Sequence, residues 1–355
     1  MMRGYGLLAA GILVAAGANV ANAQAPKRGG ILNFAVTAEP PNYDCHSSQT
    51  FALLHPVGPH YSLLLRHAGD AIEGDLAKSW SATSDGLVYT FKLHDNVKFH
   101  DNSPLTSTDV KASYERIINP PAGIVSLRKD RFTDVATIET PDPQTVVFRL
   151  KAPNASLPST LAGPFNCIYS AAKLAQNPRY PETEILGSGG FQFVEHVRGS
   201  HWTAKRFDGY FRKDLPYLDG YKGYFVKSNA VVPGLLGGQF DAEFRGQNPS
   251  ERDQILEKAK DRFVLNEGPW ATVMHVIFNT TKKPFDDPRV RKALSLAIDR
   301  WGGSESLGKI SLIRGVGGVF RPGAPWGLSP SELERIPGFW RDIEKSRAEA
   351  RRLLK

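Results

Sequence analysis

Between Asp85 and Ile118 the chain runs through a strand, a turn, a second extended stretch and a capped helix, an order that leaves few folds open. Leu87, Tyr89, Phe91 and Leu93 alternate with Val88, Thr90 and Lys92, the two-residue period of a strand with one buried face. His94-Asp95-Asn96 reads as a turn, and Val97 and Phe99 continue the alternation, which predicts a hairpin. Thr106 opens a Thr-x-x-Asp pattern that closes at Asp109, a helix start in which the hydroxyl accepts a backbone N–H. Val110, Tyr114, Ile117 and Ile118 share one helical face, and Asn119-Pro120-Pro121 stops the helix. Phe132 to Leu150 reads as two more strands, the second at Thr145–Leu150, and Trp80 is expected in the core because indole buries a large area.

The 355 residues are 41% hydrophobic and 23% charged, the balance of an ordinary folded chain, and the length calls for more than one lobe. The net charge of +8 is spread among acids except near the C-terminus, so no nucleic-acid partner is expected. Arg3, the apolar run Leu7–Val14 and the small-residue site Ala21-Asn22-Ala23 predict a leader over residues 1–23, cut after Ala23. That run is shorter than a bilayer span, and no cysteine stands at the cleavage site, so a free, exported, periplasmic product is expected. An oxidising compartment permits a Cys45–Cys167 bridge, but two cysteines specify no geometry, and the reading favours two separate thiols.

The chain has no Gly-x-Ser-x-Gly elbow, no His-Glu-x-x-His helix and no zinc-type Cys/His spacing. His94 and His100 stand at opposite ends of a short stretch and read as surface residues. Gly187, Gly189 and Gly190 precede a strand rather than a helix, so they are read as suppliers of positive φ and not as a phosphate loop.

Two stretches resemble signatures of one family, the family 5 extracytoplasmic solute-binding proteins of peptide- and nickel-type ABC importers. One is Asp85–Ile117. The other is Asn279, Pro284-Phe285, Asp287, Arg289-Val290-Arg291, Ala293-Leu294 and Ala297-Ile298-Asp299-Arg300. Physically this second stretch is a loop followed by a helix opened near Asp287-Pro288. Val290, Leu294, Ala297 and Ile298 form its expected buried stripe, and Arg289, Arg291 and Lys292 a solvated face. Weaker likenesses lie at Gly29–Val36, at Leu63-Leu64-Leu65 (a helix in the family) and at Asp75–Trp80, where Gly74 replaces the usual proline. Others lie at Leu186–Phe193, where Ser188, Gly190 and Phe191 replace Thr, Pro and Tyr, and at Phe207–Gly220 and Leu235–Asp241.

The resemblance implies an α/β, two-lobe periplasmic binding protein of type II-like architecture. Lobe I would span 24–272 with an extra small subdomain at about 55–165. A hinge crossing, with a strand at Val273–Phe278, and the first part of lobe II would occupy 273–355. The last helix, Asp342–Lys355, carries Ile343, Arg347/Ala350 and Leu354 on one face and ends where the family continues, so an incomplete second lobe is expected.

By resemblance, the ligand-binding residues would be Glu39, Tyr43, Asp44, Arg245, Gln247 and Trp270. Asp44 reads equally as a helix cap. Arg245 is either a bidentate clamp for a carboxylate or an exposed arginine in a surface loop. The implied function is capture of a small solute, with short peptides leading, by a monomer that delivers it to ABC permease subunits in the inner membrane. No cofactor, metal or catalytic residue is expected. An exported hydrolase with dispersed residues, or a truncated receptor without function, are the alternative readings.

Overall fold

The structure is a computed structural model that describes residues 26–69, 71–267, 275–311, 315–324 and 326–355. In chain order, β1 (Ile31–Val36) leads through a loop to α1 (Phe51–Val57), followed by β2 (Leu65–Ala68), β3 (Ala71–Gly74), β4 (Ala77–Ala82) and β5 (Val88–Leu93). Next come α2 (Ser107–Ile118), β6 (Val135–Asp142), β7 (Thr145–Leu150), and the short helices α3 (Leu157–Leu161) and α4 (Ala171–Gln176). The chain returns through β8 (Phe191–Val197), β9 (His201–Arg206), β10 (Gly220–Phe225), α5 (Val231–Leu236), β11 (Ala242–Glu243) and α6 (Pro249–Ala259). Helices α7 (Pro288–Ala297), α8 (Arg300–Leu307), α9 (Pro330–Leu333) and α10 (Ile343–Leu353) close the described chain.

The central sheet has the order β11-β1-β10-β9-β8. β1 pairs in parallel with both β10 and β11, while β9 is antiparallel to β10 and β8. The second half of β1, Phe34–Val36, is apolar on both sides because both faces are covered there. Phe34 and Val36 enter the main core with Trp202 and Tyr221, while Ala35, one residue out of phase, meets Val231, Leu235, Phe240 and Ile255 of the α5–α6 layer. Asp241 fixes the register of β11: its backbone N–H donates to the Asn33 carbonyl, and its carboxylate accepts the Asn33 N–H at 2.8 Å.

A second sheet, β4-β5-β7-β6, is antiparallel and carries α2 against it. The alternation at 87–99 records burial correctly but not pairing. β5 is flanked by β4 and β7, so no edge of it is left for a hairpin partner. Val97 and Phe99 are buried outside any strand, held by short backbone contacts to Leu105 and Ser103. α2 begins as expected, with a capping box in which the Thr106 side chain accepts the Asp109 N–H. Asp109 Oδ2 in turn accepts the Thr106 N–H at 2.7 Å and the Thr106 hydroxyl at 3.2 Å. Val110, Tyr114 and Ile117 are buried on its inner face.

Several expectations are corrected. Trp80 is 37% exposed because β4 is an edge strand with solvent beyond it. Leu63 to Leu65 leads into β2 rather than lying in a helix. His100 is not a surface residue: its ring packs 4.9 Å from Phe207 and its Nε2 lies 3.0 Å from the Gly189 carbonyl oxygen, while His94 is half-buried against Phe211. None of Gly187, Gly189 and Gly190 has positive φ. Gly187 and Gly189 are needed because any Cβ there would collide with the backbone of Pro59 and His60. Cys45 and Cys167 form a disulfide with a Cα–Cα distance of 6.1 Å, since Cys45 and the 166–170 segment are brought side by side by folding. There the Tyr169 hydroxyl bonds the Cys45 backbone, and His46 Nε2 lies 2.9 Å from the Cys167 carbonyl oxygen.

From residue 275 onward the helices make a small core of their own. Ala293 and Leu296 of α7 meet Ala350 of α10, with Trp340 and Leu353 beside them. The stripe expected on α7 is therefore displaced: Leu294 and Ile298 are exposed, because the helix turns the small residue Ala293 toward α10, where Ser346 donates to the Leu296 carbonyl at 2.7 Å. On α10 the buried positions are Ser346 and Ala350, and Leu354 is 59% exposed. Arg291 is half-buried and donates to the Phe285 carbonyl, so only Arg289 and Lys292 form the solvated face. Val273 lies outside the described residues, and His275–Phe278 form no strand, with Ile277 88% exposed.

Candidate functional site

The direction of the strands selects one end of the central sheet. β1, β10 and β11 run parallel, and two antiparallel steps bring β8 into the same direction. The carboxyl ends of these four strands therefore share one edge, the place where open α/β sheets bind ligands. Three connections gather there: the loop Thr37–Asp44 after β1, the β8–β9 turn at Gly199, and the loop Phe244–Asn248 after β11.

The loop after β11 is shaped by one carboxylate. Glu243 accepts the N–H groups of Arg245 at 2.7 Å and Gly246 at 2.8 Å, and the amide of Gln247 at 3.0 Å. Gly246 has φ of 95°, a conformation that a side chain resists. Asn248 then caps α6, accepting the Glu251 N–H while Glu251 accepts its own. With Glu243 so occupied, the Arg245 guanidinium is left exposed and donates to Thr37 Oγ1 at 3.4 Å across the β1 edge. Gln247 points back to Glu243 and supports the turn.

The loop after β1 is clamped at both ends. Glu39 Oε2 accepts the Gly199 N–H at 2.9 Å, and Oε1 lies 2.9 Å from His196 Nε2 and 3.6 Å from Arg198. The other ring nitrogen of His196 bonds the Tyr43 hydroxyl at 2.9 Å. Glu39 and Tyr43 are thus joined through a histidine whose side chain is 2% exposed. Burial lowers the basicity of that histidine, and Glu39 works against the effect.

Asp44 does not reach the edge. It caps the short turn at Cys45–Ser47 and accepts from Arg116 at 2.8 Å and from Tyr169 at 2.9 Å, with both members of the ion pair buried. Burial pushes its carboxyl up, but Arg116 and the hydrogen bonds more than offset this and hold it below its usual range. The cap reading of Asp44 stands, and its charge ties the loop to α2. Trp270 lies outside the described residues.

Residues not singled out in the sequence complete the edge. Phe51 and His55 stand one turn apart on α1 with ring centroids 5.4 Å apart, and His55 lies 5.8 Å from Phe244. Phe51 and Phe244 are each 53% exposed. Behind them, His60 is wholly buried: its Nδ1 lies 2.7 Å from the Phe191 carbonyl oxygen, and its Nε2 accepts from Trp202 at 3.0 Å, which anchors the end of α1 on the sheet. Only the Phe51/His55 spacing was visible in the sequence, and nothing there brings Phe244 to it. Among the described residues no group of acidic, histidine or cysteine side chains could hold a metal ion.

The parallel edge of the sheet thus carries hydrogen-bonded loops, an exposed guanidinium and exposed rings. The profile of the bacterial extracellular solute-binding proteins, family 5 Middle, matches residues 71–355, and the chain belongs to that family. The glutathione-binding protein GsiB of Pectobacterium atrosepticum is 34% identical over 225 residues, which cover 63% of this chain and 43% of that protein. GsiB of Escherichia coli K12 is 31% identical over the same length. Among solved structures, AgaA from A. tumefaciens R10 in complex with agropinic acid superposes with a TM-score of 0.75 at 28% identity, covering 91% of this chain and 64% of that one. DppA from Helicobacter pylori, in complex with the peptide STSA, gives 0.75 at 23% identity, covering 92% and 66%. The chain thus spans less than half the length of the GsiB proteins in its matched part, and about two thirds of the solved receptors.

Proposed function

We propose that the chain is the solute-binding component of an ABC importer, exported after cleavage behind Ala23, and that it captures a short peptide or a related carboxylate-bearing solute in the periplasm. It would act as a monomer that presents the loaded site to permease subunits in the membrane, without catalysis. The observation that carries this reading is Arg245, an exposed guanidinium on a turn preset by Glu243, at the edge where four strands point. Such a group can donate two parallel bonds to a carboxylate, and the backbone that carries it is already fixed by Glu243. The relatives support the solute class, since one is named for glutathione and one was solved with agropinic acid.

Calorimetry of the leader-free chain with Ala-Ala-Ala and its C-terminal amide tests the reading. The free acid is expected to bind more tightly, and Arg245→Ala to remove about ten- to a hundredfold of that preference, the range for a charged hydrogen-bonded contact. An unchanged preference in the variant would show Arg245 to be an ordinary surface residue.

A further inference from the structure

His55 is held in an unusual setting. It is half-buried between Phe51 of its own helix and Phe244 of the loop after β11, and its Nδ1 is shielded from solvent without a hydrogen-bond partner. The charged groups that face it are Glu243 and Arg245, and its neighbour on α1 is the neutral Phe51. Glu243 is already engaged by two backbone N–H groups and the Gln247 amide. A protonated His55 would therefore sit beside Arg245, while Glu243, the carboxylate that faces it, is already engaged by its own loop.

We propose that His55 is a specificity-determining residue of the site, taking up a proton when an anionic group of the solute settles between it and Arg245. The inference rests on the solute-binding reading above and narrows it to ligands that bring a net negative group to this corner, with an apolar portion lying on Phe51 and Phe244. In the free protein the ring is held neutral near neutral pH. Burial lowers its basicity most, Glu243 opposes that, and Arg245 adds to it. A bound anion has the opposite effect and favours the imidazolium. Linkage then requires the reverse as well: protonating the ring must tighten the anion by the same factor.

The experiment is calorimetry of the leader-free chain with Gly-Gly-Phe and with its C-terminal amide, at about pH 5 and about pH 7, where the peptide amine stays charged in both compounds. The acid-over-amide preference is expected to be about three- to tenfold larger at the lower pH, tenfold being the limit set by a one-unit rise of the His55 midpoint. His55→Gln should bind with the same preference at both pH values. In the wild type, the ring resonance missing from the His55→Gln spectrum should titrate at higher pH once Gly-Gly-Phe is added. A preference that does not vary with pH in the wild type, or varies equally in His55→Gln, overturns the inference while leaving the receptor reading intact. Failure of both peptides to bind at either pH overturns the receptor reading and this inference together.

Discussion

Arg116→Ala would remove the cation from a pair in which Asp44 is 1% and Arg116 3% exposed. The carboxylate would keep its Tyr169 hydroxyl and the His46 N–H, but would lose two guanidinium bonds, at 2.8 and 3.2 Å, and its compensating charge. Leaving a buried carboxylate unpaired costs about 3–5 kcal/mol, more than the net worth of the pair, because desolvation is no longer offset. The cost has a second outlet: Arg116 Nε also donates to the Pro178 carbonyl, so two loops lose a tie to α2. With a urea dependence of about 1–3 kcal/mol per molar, the unfolding midpoint should fall by roughly 1–5 M. The assay is urea unfolding followed by tryptophan fluorescence, with Asp44→Asn/Arg116→Met alongside. The double variant leaves no buried charge and should recover more than half of the loss. A single variant within 1 kcal/mol of the wild type, or a double variant less stable than the single, would refute the view that this pair braces the loop after β1.

Two further outcomes follow from the same core. The Cys45–Cys167 bridge closes a segment with a sequence separation of 122, so Cys45→Ser/Cys167→Ser should lower stability by about 2–5 kcal/mol, read as a urea midpoint that no longer responds to reductant. His46 and His60 are buried and neutral, with burial lowering their midpoints to about 4 and about 3. The unfolded chain binds protons at both near pH 6.5 and the native chain does not, so stability is full above that pH and falls as pH drops toward 4. Each should cost about 2 kcal/mol by pH 5, and a urea midpoint equal at pH 7 and pH 5 would contradict it.

How far the sequence could be read depended on whether the signal was local. Alternation at Val88–Leu93, the Thr106/Asp109 helix start and the Asp287 cap all act over a few residues, and they appear where periodicity puts them. What failed needed knowledge of a neighbour. Val97 and Phe99 alternate because they are buried, yet β7, some fifty residues on, had already taken the second edge of β5. α7 offers two apolar faces, and only α10 decides which is covered. The disulfide and the role of Asp44 depend on segments near Arg116 and Tyr169 that come together only in the fold.

The candidate site divides in the same way. Arg245 was legible through its place after Asp241. The turn that presents it was not, because it depends on Glu243 turning back on its own loop. Glu39 and Tyr43 were chosen from one loop, but His196, which joins them, arrives from β8. Phe51, His55 and Phe244 come from two elements that approach only at the sheet edge, so no spacing rule could group them.

The central claim is that the carboxyl edge of the sheet is where solute binds. Hydrogen exchange of the leader-free chain with and without saturating Ala-Ala-Ala reads this most directly, because the backbone of each edge loop reports separately. The account predicts slowed exchange in Thr37–Tyr43 and Phe244–Gln247, with β4–β7 unchanged. Slowing confined to β4–β7 or to α7–α10, with both edge loops unaffected, would place the solute elsewhere and contradict it.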